Sequence, residues 1–218
     1  MADPDRDGFE TAKAEVQFLR WIFGWNLVVG WGMVTFLVGG VGYFVGFPYL
    51  FGLVGFVAGL PMWYQGTGYI NRHYEALRDA YLADVETYGP MVLQAAGAPE
   101  GAEYVTLAGW PEDTPLLVEA PPAVSAAVLA VGPESVWLYD ETGLDLQFLS
   151  ASLGTDTDEV ERIDVATLDS VEFGDRTLTL ETSGETDYAI PCTEEPVEAI
   201  ATIRARMYAA AGEEESGD

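Results

Sequence analysis

The single histidine, His73, and the single cysteine, Cys192, are the first places to look for chemistry in this chain. A Ser-His-Asp relay needs a serine brought to His73, and no glycine pattern of a nucleophile elbow surrounds any serine. One cysteine excludes an internal disulfide and a cysteine-based zinc site, so Cys192 reads as a small buried residue at the end of a strand. The thirty-six carboxylates are too numerous and too scattered for any pair to stand out as general acid and base. The glycines between Gly39 and Gly46 do not make a phosphate loop, because no Lys-Ser or Lys-Thr follows them. No catalytic, cofactor-binding or metal-ligating residue is therefore assigned, and a non-enzymatic protein is expected.

The elements around these residues are more telling. Between Arg20 and Arg72 lie 51 residues without a Lys, Arg, Asp or Glu, rich in Gly, Val, Leu, Phe and Trp. A charge at a bilayer centre costs roughly 2.5–3.5 kcal/mol, and a span takes about 20 residues, so residues 21–70 are expected to form a two-helix transmembrane hairpin. The helices are placed at 21–41 and 48–69, with the turn among Gly39, Gly40, Gly42, Tyr43, Phe44, Gly46, Phe47 and Pro48. Trp21, Trp25, Trp63, Tyr64 and Tyr69 fall where interfacial anchors belong, with His73 just beyond at the headgroup level. Gly42 and Gly46, and Gly55 and Gly59, have the small-xxx-small spacing of closely packed membrane helices.

Arg6, Lys13 and Arg20 precede the first span and Arg72 and Arg78 follow the second, which places both termini in the cytoplasm of a two-span cell-membrane protein. Asp3, Asp5 and Asp7 stand where a signal peptide has bases, so the first helix is expected to be retained. The formal net charge is −27, with Lys13 the only lysine among nine bases. Such a surface stays hydrated in molar salt, where repulsion is screened within about 3 Å, and points to an extreme halophile, a haloarchaeon being the expected source. It also argues against a nucleic-acid partner, whose phosphates demand Lys and Arg.

Outside the hairpin, residues 1–20 carry an N-terminal amphipathic helix on Phe9, Ala12, Val16 and Leu19. Residues 71–94 hold a juxtamembrane helix with Tyr74, Leu77, Tyr81, Val85 and Tyr88 along one side, which Gly89 and Pro90 are expected to stop. Residues 95–122, with prolines at 99, 111, 115, 121 and 122, read as a linker in which Tyr104, Val105, Leu107 and Trp110 form a short strand or dock on a neighbour. Trp110, Tyr74 and Tyr81 are candidate partner contacts. From 123 to 211 the period becomes two. Strands are placed at 126–131, 135–139, 144–149, 160–165, 168–173, 177–181 and 187–190, followed by a helix with Thr193 as N-cap, and residues 212–218 form an acidic tail.

Seven short strands closed by one helix, with the stretch IDVATLDSVEFGDRTLTLETSG at 163–184 and YAIP at 188–191, resemble the prokaryotic pleckstrin-homology-like and GRAM-like domains. The resemblance implies a seven-stranded barrel capped by a helix, so the whole chain is expected to be an α+β membrane protein. Several prokaryotic families similar to this join such a domain to a two-helix hairpin. Lipid-binding relatives hold inositol phosphates with bases in the first strand hairpin. Here 131–141 carries Glu134, Asp140 and Glu141 and no base, so anionic headgroup binding by this domain is not expected.

The partners expected are the lipid bilayer and a protein or a second copy of the chain. The function expected is an anchor or adaptor that displays the domain for protein contact. The alternative is an accessory subunit of a larger membrane transport or respiratory complex. A small pore is disfavoured because only Asn26, Thr35 and Gln65 could line it.

Overall fold

The computed structural model describes residues 7–18, 21, 27–111, 117–154, 157–184 and 186–215. They fold as helices α1 (Asp7–Ala14), α2 (Leu27–Phe44), α3 (Pro48–Ala95) and α4 (Val197–Glu215). Between α3 and α4 lie strands β1 (Glu103–Gly109), β2 (Ala123–Val131), β3 (Ser135–Asp145), β4 (Ser150–Leu153), β5 (Glu161–Asp164), β6 (Leu168–Gly174), β7 (Thr177–Thr182) and β8 (Tyr188–Pro191). The chain divides into two units, one within residues 1–80, 111–123 and 145–150, the other within 81–110, 124–144 and 151–218.

In the first unit, α2 and α3 form a helical hairpin whose turn follows from its residues. Gly46 adopts φ +83°, the Phe47 N–H donates to the Gly42 carbonyl (2.8 Å) and the Gly46 N–H to the Tyr43 carbonyl (3.3 Å). This pairing is a Schellman cap, and Pro48 at the next helix start supplies the fixed φ a first turn favours. Where the helices meet, a Cβ on Gly42 would stand 2.4 Å from the Phe51 Cβ, one on Gly55 2.9 Å from the Val38 Cβ, and one on Gly59 2.6 Å from the Trp31 ring. Trp31 stacks on Phe56 at 4.5 Å and donates its indole N–H to the Phe56 carbonyl. Elsewhere in the unit Trp21 is wholly buried and donates to the Leu146 carbonyl. The Asn71 amide clamps the returning chain, donating to the Leu117 carbonyl and accepting from the Glu119 N–H, each at 2.9 Å.

The expectation of a transmembrane hairpin is corrected here. Among the described residues no helix is long and apolar enough to cross a membrane. Of the residues described in α2, Leu27–Phe44, five are glycines. The apolar lead of α3 ends at Leu60, after which Pro61, Tyr64, Gln65 and Thr67 enter the helix. The two-span placement and the cytoplasmic termini derived from it fall with the spans.

The helix α3 also corrects two boundaries. It runs unbroken through 70 and through Gly89-Pro90, ending only where Gly97 takes φ +100°. There the Ala98 N–H reaches the Leu93 carbonyl and the Gly97 N–H the Gln94 carbonyl, a second Schellman cap. Pro90 removes one backbone donor, but the acceptor it orphans belongs to Glu86, on the exposed side of the helix where water can satisfy it.

In the second unit the strands make two antiparallel sheets, not one seven-stranded barrel. One has the order β1-β2-β3-β4 with β5 pairing β3, and the other the order β6-β7-β8. Residues expected to be linker supply β1, which pairs along its whole length with β2, Glu103 opposite Val131 and Gly109 opposite Ser125. The strand expected at 144–149 is absent because the Asp145 carboxylate accepts from the Gln147 and Phe148 N–H groups, turning the chain between β3 and β4. Asp175 and Arg176, both at positive φ, form the two-residue turn between β6 and β7. The core gathers Leu129, Leu138, Ile163, Leu178, Ile190 and, from α4, Ile200 and Ile203. Thr193 does not cap α4: its N–H donates to the Ala108 carbonyl at 2.8 Å, and the helix starts only after Pro196, whose ring keeps Glu195 out of helical conformation.

Candidate functional site

The outstanding feature is the outward side of the α2–α3 hairpin. The inward rows of α2 carry Trp31, Thr35, Val38, Gly39 and Gly42 against α3. Helical geometry then turns Met33, Phe36, Leu37, Val41 and Phe44 outward, and all five are exposed. On the turn and α3, Phe47, Tyr49, Leu50, Leu53, Val54 and Val57 are exposed as well, with Phe44 at 90% and Tyr49 at 93%. This apolar face has no charged side chain to interrupt it, in a chain of net charge −27. Apolar patches beyond roughly 300–600 Å² are rare on monomers and mark sites of association. A shallow cleft of about 540 Å³, lined by Met62, Tyr64, Gln65, Tyr69 and Arg72, lies beside it.

The residues singled out from the sequence are distributed unevenly over this region. Gly42, Gly55 and Gly59 lie between α2 and α3, each within 3 Å of a neighbouring side chain once a Cβ is added. Gly46 makes no such approach and serves the turn through its positive φ. Trp21, Trp63 and Tyr69 are buried in their unit, so they are not displayed as interfacial anchors; Tyr64 is exposed, and Trp25 lies outside the described residues. Tyr69 stacks on His73 at 4.3 Å, and the His73 Nδ1 bonds the Tyr69 carbonyl at 2.7 Å, which ties the histidine down locally. Of the candidate partner contacts, Tyr74 is half-buried under Arg78, Trp110 is half-buried, and Tyr81 is 0% exposed and cannot meet a partner. The exposed α2 residues Met33, Phe36, Leu37 and Phe44 are legible in the sequence only as part of the uncharged run, which does not distinguish them from their buried neighbours.

The second unit offers weaker candidates. A cleft of about 560 Å³ brings Glu134 and Asp164 near Arg206, but the Asp164 carboxylate is already engaged by the Ala166 N–H at 3.0 Å. Burial pushes the Tyr139 phenol up to about 12, with Glu159 and Glu141 adding to the effect, and its hydroxyl donates to the Gly154 carbonyl. Burial likewise raises Tyr81 to about 12 beside Thr142, whose hydroxyl donates to the Ala126 carbonyl. Cys192 is buried, which raises its thiol. Among the described residues no group of three or more His, Cys, Asp or Glu could hold a metal ion.

Comparison with known proteins adds no relative: no protein-family model matches the chain, and no curated protein does.

Proposed function

We propose that this chain is a non-enzymatic assembly protein whose helical hairpin is covered by protein when it works. The observation that carries the reading is the uncharged, outward-facing apolar side of α2 and α3. Left in water, each such side chain forgoes about 1.5–3 kcal/mol relative to burial, so association is strongly favoured. In this reading the strand-rich unit, two antiparallel sheets followed by α4, carries contacts to other proteins. Its acidic surface keeps the assembly dispersed in molar salt.

The test is extraction of the chain from its native cells in molar KCl without detergent, followed by sizing and by flotation on a density gradient. The reading expects the chain in a protein assembly of defined mass that does not float. Recovery only with floating lipid, free of protein partners or further copies, would overturn it.

A further inference from the structure

Resting on the reading of the helical face as a protein contact, we infer that its occupant is a second copy of this chain. A two-fold axis would lay Phe36 of each copy against Gly40 of the other. Gly32, Phe36 and Gly40 recur every four residues and so form one row along α2. The Phe36 ring is 79% exposed, while a Cβ added at Gly32 or Gly40 would meet no atom within 4 Å. The row is thus a projecting ring with an open notch one turn to either side. Run antiparallel against itself about an axis between 36 and 40, it is its own complement, as an isologous contact requires.

The distribution of charge favours a second copy. The chain carries 36 acidic residues against nine basic ones, so contact between copies through most surfaces brings like charges together. Residues 21–71 contain no charge at all, and the hairpin face lets two copies approach without that repulsion.

Sedimentation equilibrium of the purified full chain in molar KCl tests this. The wild type is expected to be a dimer. Gly40→Leu, which fills a notch where an added Cβ meets nothing within 4 Å, and Phe36→Ala, which removes the ring, are each expected to weaken dimerisation at least tenfold. Tyr208→Ala, exposed on α4, should leave it unchanged. An equimolar mixture of the two variants should dimerise again, because one contact keeps Phe36 on Gly40 and the other sets the introduced leucine against the introduced alanine. The double variant in one chain should recover for the same reason, and it decides the matter if circular dichroism shows that either single variant is misfolded. A dimer insensitive to both substitutions, or no recovery in the mixture and the double variant, would overturn the inference. A monomer found with a different protein on the same face would overturn it while leaving the assembly reading intact. A chain recovered only on lipid vesicles would overturn both.

Discussion

Gly89 shows how the end of α3 is held in its unit, and it gives a prediction with a sign and a size. A Cβ placed there would stand 2.4 Å from the Val128 Cγ2 and 3.1 Å from its Cβ, and Val128 is wholly buried in β2. Gly89→Ala gains about 0.5–1 kcal/mol from helix propensity, but the overlap costs about 1–3 kcal/mol, so a net loss of about 1 kcal/mol is expected. Val128→Ala removes two methyl groups, about 1.6 kcal/mol of transfer energy, and leaves a cavity, for a loss of about 2–3 kcal/mol. In the double variant the new Cβ occupies space that the valine methyls vacated. The overlap and part of the cavity then disappear together. The double loss is expected to fall short of the sum of the single losses by about 1–2 kcal/mol, a coupling typical of residues in contact. Urea unfolding of the full chain in constant molar KCl, followed by circular dichroism, gives the three differences. Additivity within about 0.5 kcal/mol would show that Gly89 and Val128 do not meet, and the helix–sheet packing described here would be wrong.

Two further outcomes follow from ionisation and charge. Tyr81 and Tyr139 both titrate near 12 when folded but near 10 when unfolded, so their stabilisation is full below pH 10 and is lost as pH rises from 10 towards 12. Tyr139→Phe should flatten that loss of stability, at most by about 2–3 kcal/mol, and an unchanged alkaline unfolding profile would refute the buried phenol. Nine bases cannot compensate 36 acids, even with ion pairs such as Lys13–Glu10 and Arg78–Asp79, so self-repulsion persists in the folded chain. The melting temperature should therefore rise from 0.1 to 1 M KCl as the screening length falls from about 10 to about 3 Å, and a midpoint that stays level or drops would count against this view of the acidic surface.

Local patterns made part of this structure readable from the residues. The runs at 126–131, 168–173 and 177–181 lie within β2, β6 and β7: the last two alternate and are bounded by turn residues, while 126–131 is a continuous apolar run buried at every position. Pro48 marks the start of α3 because a proline favours a first helical turn. What could not be read depends on partners distant in sequence. Residues 103–109 look like linker until β2 offers a register, and Gly89-Pro90 looks like a stop until Val128 fills the glycine's space. The charge-free run shows that residues 21–71 avoid charge, not what covers them. Among the described residues that run makes no helix long and apolar enough to cross a membrane. Tyr81 has the spacing of a partner-binding stripe, yet it is buried together with Leu77 and Val85 of the same row of α3.

The claim that the hairpin face is a protein contact is tested most directly by hydroxyl-radical footprinting of the full chain in its native assembly. The same material diluted until it dissociates serves as reference. Phe36, Phe44 and Tyr49 should be protected in the assembly and become oxidised on dissociation, while Phe148 and Tyr208, exposed elsewhere, should react equally in both. Equal oxidation of the hairpin aromatics in the two states, at rates like that of Tyr208, would mean that no protein covers them and would contradict the account.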